Sequence, residues 1–248
     1  MNNPDSSADR QEWDRIASVY AQTAGTAADS TYAQFKDALW ESLGDLQGLD
    51  VLDLGCGHGW LSQQIHEAGA KVWGVDGAPV LIEMARTTYP HINFTLHDLL
   101  GGLPPTERTF DRVVSNMVLM DIPDITVLIA SVRAVLKPHG RFIFTLPHPC
   151  FFNYPSRQDE TSGEWYRMLT GYLQPAVWRV QTFGGHNHYH RTLTEYMDHL
   201  RHNHLVVTRF YEPPHRPKQL PETYEKEFAF YQSIPIFLLI EAVPLPRY

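Results

Sequence analysis

The chain has 248 residues, 43% hydrophobic and 19% charged, with a formal net charge of −8; this balance suits one α/β domain with a sizeable core. The acidic excess argues against broad attraction to nucleic acid or to an anionic membrane, and no apolar run is long enough to span a bilayer. Two cysteines, Cys56 and Cys150, and a polar amino-terminus without an apolar signal core point to a reducing, cytoplasmic setting rather than a disulfide framework.

Residues 1–10 read as disordered, and Glu12–Tyr20 as a helix with Trp13, Ile16 and Tyr20 on one face. A second helix lies within 25–46, its apolar stripe formed by Phe35, Leu39, Trp40 and Leu43. Strands and helices then alternate. Strands are predicted at 49–54, 71–76, 92–98, 110–117 and 140–147, and helices at 61–68, 79–89 and 125–137. That rhythm predicts βαβ units on a parallel sheet. Residues 151–190 break it with prolines, glycines and many aromatics, and read as an insert that covers something. A helix over 192–203, a strand over 205–212, a proline-rich loop and a last strand over 234–243 complete the chain.

The stretch "VLDLGCGHGW", 51–60, sets Gly55, Gly57 and Gly59 where a strand turns into a helix. Without Cβ atoms, the backbone N–H groups there can approach a ligand closely, beside the positive end of a helix. The third glycine comes earlier than in the dinucleotide fingerprint G-x-G-x-x-G. Asp53, just before the loop, would also repel a pyrophosphate. A ligand carrying both an ammonium and a carboxylate suits this loop better.

"VLDLGCGHG" resembles the first motif of class I S-adenosylmethionine (SAM)-dependent methyltransferases. "VWGVDGAPVLIEMAR", "NFTLHDLL", "FDRVVSNMVLMDI" and "LKPHGRFIFTLP" resemble the family's next four landmarks, in the right order. The match covers roughly residues 46–147, and 205–243 fit the last two strands less specifically. The resemblance implies an α/β fold: a doubly wound, seven-stranded, mostly parallel sheet. It divides the chain into an N-terminal helical cap (1–45), a SAM-binding core (46–150), a substrate-covering aromatic insert (151–190) and a C-terminal completion of the sheet (191–248).

By the same resemblance, Asp76 accepts the ribose hydroxyls of SAM, and Asp98 faces the adenine amino group with the Leu99 N–H on a ring nitrogen. Gly55 and Gly57 line the methionine part, with Asp53 and Asn116 toward its ammonium. Cys56, Trp60, Gly77 and Met117 complete the expected cofactor set, and S-adenosylhomocysteine is the expected product. Read singly, Asp76 also suits a helix cap, Asp98 a loop start, Asn116 a turn and Cys56 a small packed residue.

Trp13, Ala17 and Tyr20 match a "W-x-x-x-A-x-x-Y" segment of small-molecule methyltransferases, with Tyr20 closing over the methionine end or else a core aromatic paired with Ile16. In "TLPHPCFF", His148 follows the fifth strand and is the candidate general base, or else a loop histidine bonded to backbone. His186, His188 and His190 alternate, so an extended chain sets them on one face, with Arg191 near a substrate anion. His188 and His190 join Tyr20 and His148 as catalytic candidates. No further ligand in the local sequence completes a metal site, and none is predicted. The expected activity is methyl transfer to an oxygen or nitrogen of a small planar or aromatic metabolite, by a monomer or homodimer with no nucleic-acid or membrane partner. The alternatives are a peptide, protein or RNA acceptor, and a SAM-binding protein without transfer.

Overall fold

The computed structural model describes residues 5–26, 30–214 and 225–245. Helices α1 (Ser7–Thr23) and α2 (Ser30–Leu43) precede an alternating run: β1 (Asp50–Leu54), α3 (Trp60–Glu67), β2 (Lys71–Asp76), α4 (Pro79–Thr88), β3 (Asn93–Leu96), β4 (Phe110–Asn116), α5 (Thr126–Val135) and β5 (Leu136–Pro147). Four short strands follow: β6 (Ser156–Gln158), β7 (Trp165–Arg167), β8 (Val177–Val180) and β9 (His186–Tyr189). The chain continues through α6 (Leu193–His202), β10 (Leu205–Tyr211), α7 (Glu225–Gln232) and β11 (Phe237–Pro244).

Seven strands form one sheet in the order β10-β11-β5-β4-β1-β2-β3. The pairs β1–β2, β2–β3, β1–β4 and β4–β5 are parallel, and β11 runs antiparallel to both its neighbours. The order reverses between β1 and β4, so a crevice opens at their carboxyl ends, where open α/β sheets bind ligands. Burial follows the helical stripes. Phe35, Leu39 and Leu43 of α2 pack with Leu61, Ile65 and Ile82 on one face. Leu128, Ile129 and Val132 of α5 pack with Tyr196 and Leu200 of α6 on the other. Ala17 of α1 packs against Ala78 and Leu81, which seats α1 on α4 above the crevice.

Several elements differ from the sequence expectation. The region read as disordered is helical from Ser7, because Ser6 and Asp9 find partners far along the chain. The helix expected to reach Lys137 stops at Val135, since Pro138 cannot continue it, and β5 begins at Leu136. The insert is two β-hairpins, β6–β7 and β8–β9. Part of the stretch read as a proline-rich loop is helix α7; residues 215–224 of that loop lie outside the described residues. Among the described residues no helix is long and apolar enough to cross a membrane.

Candidate active site

All three glycines of the β1–α3 loop have positive φ: 71° at Gly55, 55° at Gly57 and 85° at Gly59. A Cβ on Gly55 would stand 2.3 Å from the Val118 side chain, and one on Gly57 would stand 3.0 Å from the Tyr20 ring. The loop is thus pressed between the turn after β4 and helix α1. Asp76, at the end of β2, ties it down: its carboxylate accepts from Gly57 N–H at 2.8 Å and from Ala78 N–H at 2.8 Å. Burial raises the Asp76 carboxyl above its ordinary range, against these lowering hydrogen bonds.

Asp98 begins the turn after β3. It accepts from Leu100 N–H at 3.0 Å and from Ser6 Oγ at 2.6 Å, with Arg10 Nε 3.6 Å away. Helix α1 therefore reaches across the ends of β2 and β3. A cavity opens here, lined on this side by Gly55, Gly57, Trp60, Asp76, Gly77, Asp98 and Leu99.

The cavity continues past the end of β4, where Asn116, Met117 and Asp121 line it, to Phe152, Phe183, His186 and His188 of the insert. Met117 sits at φ 59°, a conformation costly for a side-chain-bearing residue. Its N–H is held by Thr145, whose hydroxyl donates to Asn116 Oδ1 at 2.8 Å. Tyr20 packs edge-on to Trp13, His58 and Phe183, and Trp13 lies 4.6 Å from the His186 ring. Burial drives His186 down to about 4 and His188 down to about 3, so both imidazoles are neutral near pH 7. Burial, then the charges of Asp9 and Asp76, pushes the Asp121 carboxyl well above the usual range.

Helix α1 and the β8–β9 hairpin are joined over the cavity. Buried Asp9 accepts from Asn187 Nδ2 at 2.9 Å and from Tyr189 OH at 2.6 Å. Glu12 pairs with Arg179, and Arg15 donates to the carbonyls of Gly184 and Gly185.

Five sequence candidates lie elsewhere. His148 is buried and does not line the cavity: Nδ1 accepts from Cys150 N–H at 3.1 Å and Nε2 meets Glu212 Oε1 at 2.8 Å. With Nδ1 accepting, the proton sits on Nε2, and both ring nitrogens are engaged by the protein. His190 lies past the end of β9 and its Nε2 binds the Tyr172 carbonyl at 2.7 Å. Asp53 is buried beneath the loop, where its Oδ2 accepts from Ser62 Oγ at 2.6 Å. Burial outweighs that bond and raises its carboxyl to about 7. Cys56 packs in the core beside α3, and burial raises its thiol well above the ordinary value. Arg191, expected near a substrate anion, spends its guanidinium on the carbonyls of Leu119 and Ile122. The sequence reading missed Asp121 and Asp9, while Phe183 is one of the aromatics it expected to cover the pocket. Asp121 had one local signal, its place just after β4.

The ligand implied by the sequence resemblance joins an adenosine to a methionine bearing a sulfonium and an ammonium. The residues present fit it. The loop glycines leave backbone where any Cβ would intrude, and four carboxylates, Asp9, Asp76, Asp98 and Asp121, line the cavity against one guanidinium, that of Arg10. A cationic ligand would offset the burial that raises Asp76 and Asp121, so a cavity lined in this way favours one.

Residues 51–140 match the family described as "Methyltransferase domain". The chain is 28% identical over 169 residues to a demethylmenaquinone methyltransferase of Tropheryma whipplei, covering 68% of this chain and 67% of that protein. It is 34% identical over 107 residues to a ubiquinone biosynthesis O-methyltransferase of Xanthomonas oryzae, covering 41% of this chain and 45% of that protein. The crystal structure of an S-adenosylmethionine dependent methyltransferase from Mesorhizobium loti is similar with a TM-score of 0.72 and 26% identity, covering 86% of this chain and 99% of that one. By fold, and by sequence over residues 51–140, the chain is similar to the class I S-adenosylmethionine-dependent methyltransferases.

Proposed function

We propose that this methyltransferase acts on an oxygen of a small planar acceptor. SAM would occupy the glycine-loop half of the cavity and the acceptor the half walled by Trp13, Phe152, Phe183, His186 and His188. The carrying observation is that one cavity runs without interruption from the loop glycines to an aromatic wall with a polar end. Flat aromatic walls suit a flat ring, which they hold by stacking and edge contacts. The relatives named for demethylmenaquinone and for ubiquinone biosynthesis, the latter an O-methyltransferase, support a small quinone-type acceptor and an oxygen atom.

When bound, SAM supplies a methyl group on a sulfonium, ready for in-line displacement. The protein's own part is binding and alignment. Asp76 would take the ribose hydroxyls on the lone pairs left beside its two backbone bonds. Asp98 and the Leu99 N–H would meet the adenine edge, with Gly77 and Trp60 beside them. Gly55, Gly57, Asn116 and Met117 would surround the methionine, with Tyr20 closing over it. Asp121, His186 and His188 would receive the reacting oxygen at the polar end. The joined cover of α1 and the β8–β9 hairpin excludes water and favours a small acceptor over a peptide or RNA. Both cysteines are free thiols, in keeping with a cytoplasmic enzyme.

The test is formation of S-adenosylhomocysteine from SAM with three acceptors offered in parallel: a dihydroxylated aromatic, a peptide and an RNA. Turnover is expected with the aromatic alone. Product formed only with the peptide or the RNA would overturn the reading.

A further inference from the structure

We propose that Asp121, His186 and His188 form a binding site for one divalent transition-metal ion at the acceptor end of the cavity. The ion would be the group that holds the acceptor's oxygen. That last role rests on the function proposed above; the metal site itself rests on the geometry of three side chains.

His186 and His188 alternate on β9, so both rings project to the same side, with Nε2 atoms 3.1 Å apart. Asp121, from the short 3-10 turn after β4, brings Oδ1 to 3.6 Å from His188 Nε2 and 3.9 Å from His186 Nε2. A point equidistant from three atoms at these separations lies about 2.1 Å from each. That matches the roughly 2.0–2.2 Å at which zinc takes imidazole nitrogen and carboxylate oxygen. Two imidazoles and one carboxylate ranged about an ion in this way leave the positions above and below their plane for further ligands. Two imidazoles and a carboxylate suit zinc, iron(II) or cobalt(II) rather than calcium or magnesium, which prefer all-oxygen shells.

The polar accounting agrees. Side-chain exposure is 10% for Asp121, 4% for His186 and 5% for His188. Asp121 Oδ1 is buried without a hydrogen-bond partner among the described residues. A buried carboxylate oxygen left in that state is costly, and a cation is the partner that would relieve it. The surroundings hold the three ligands in place. Arg191 clamps the carbonyls of Leu119 and Ile122 on either side of the Asp121 turn. Asn187 and Tyr189, which flank His188, both bind Asp9 of α1. That fixes the register of β9 and keeps His186 and His188 turned inward. These contacts order the backbone that carries the three ligands, while Nδ1 of His186 and of His188 has no hydrogen-bond partner among the described residues.

An acceptor with an ionisable oxygen, or two adjacent oxygens, would complete the coordination from the cavity side. The same ion would favour the oxygen's anionic form.

The experiment uses the full chain freed of metal by chelation and dialysis. Zinc is titrated by calorimetry, cobalt(II) by its visible absorption, and thermal unfolding is followed with and without zinc. Asp121→Asn and His188→Gln are run beside the parent protein. The expected result is one zinc per chain, a cobalt spectrum of low symmetry, and an unfolding temperature raised by zinc. Each variant should weaken zinc binding at least about 100-fold and lose both the spectrum and the zinc-dependent rise. Metal-free Asp121→Asn should unfold no earlier than the metal-free parent, which separates ligand loss from misfolding. Zinc binding that is absent from the parent, or equal in parent and variants, would overturn the proposal. SAM binding is titrated separately: its failure would sink the proposed function while leaving the metal result standing.

Discussion

The two halves of the cavity are made from different materials. The glycine-loop half is largely backbone, set by one short run from β1 to the turn after β3, with Asp76 and Asp98 at successive strand ends. The acceptor half is largely side chains, drawn from α1, the turn after β4, the loop after β5 and the β8–β9 hairpin. Backbone geometry serves a ligand common to a whole family. Side chains gathered from distant segments are free to change with each acceptor. Mutations on the two sides should therefore separate into two kinetic classes.

The largest effect is expected at Asp76. Asp76→Ala removes the acceptor of two backbone N–H groups and of the proposed ribose contact, and SAM affinity measured by calorimetry should fall at least about 100-fold. Unchanged affinity would remove Asp76 from the cofactor half. Next comes Phe183→Ala in the aromatic wall. It should lower kcat/KM for the acceptor about 10-fold, the scale of one lost aromatic contact. SAM affinity should hold within about 3-fold; an equal loss of both would erase the division between the halves.

His148→Ala sharpens the comparison from outside the cavity. A general base would be worth about 10²–10⁴ in turnover. A histidine bonded to Cys150 and Glu212 should cost no more than about 3-fold, with thermal unfolding several degrees earlier. A large fall in turnover at native stability would return the residue to the chemistry.

The smallest kinetic effect is expected at Asp53, whose signature is pH-dependent stability. Its carboxyl sits at about 7 in the fold against 3.8 ordinarily. Below the lower value both states are protonated and nothing is lost. As pH rises through the interval, the unfolded chain gives up its proton first, and the fold loses stability until about pH 7. Asp53→Asn removes that loss while keeping an acceptor for Ser62. Its stability relative to the parent should grow from about pH 4 to about pH 7 in melting scans. A constant difference would show that burial does not hold this acid protonated.

Legibility in the sequence divides along the same line. The glycine loop, the strand-ending acids and the βαβ rhythm are local patterns, and the sheet follows from them. The start of α1 was invisible because its polar residues find partners remote in sequence: Ser6 meets Asp98 across 92 residues, and Asp9 meets Asn187 across 178. His148 stood at the expected point of the chain, but Glu212, from the segment after β10, decides where its ring points. The alternating histidines were legible as a face of a strand. The carboxylate opposite them came from another turn, so the trio existed only after folding.

The bonds between α1 and the β8–β9 hairpin carry a consequence for the timing of turnover. Asp9, Glu12 and Arg15 fasten one helix to one hairpin, and between them these two elements roof both chambers. Access for the methyl donor and access for the acceptor are then a single event. On the function proposed above, the demethylated donor would leave only with the opening that also releases the methylated product. Residence behind that common door, rather than the displacement itself, becomes the natural clock of the cycle, and solvent viscosity its natural brake.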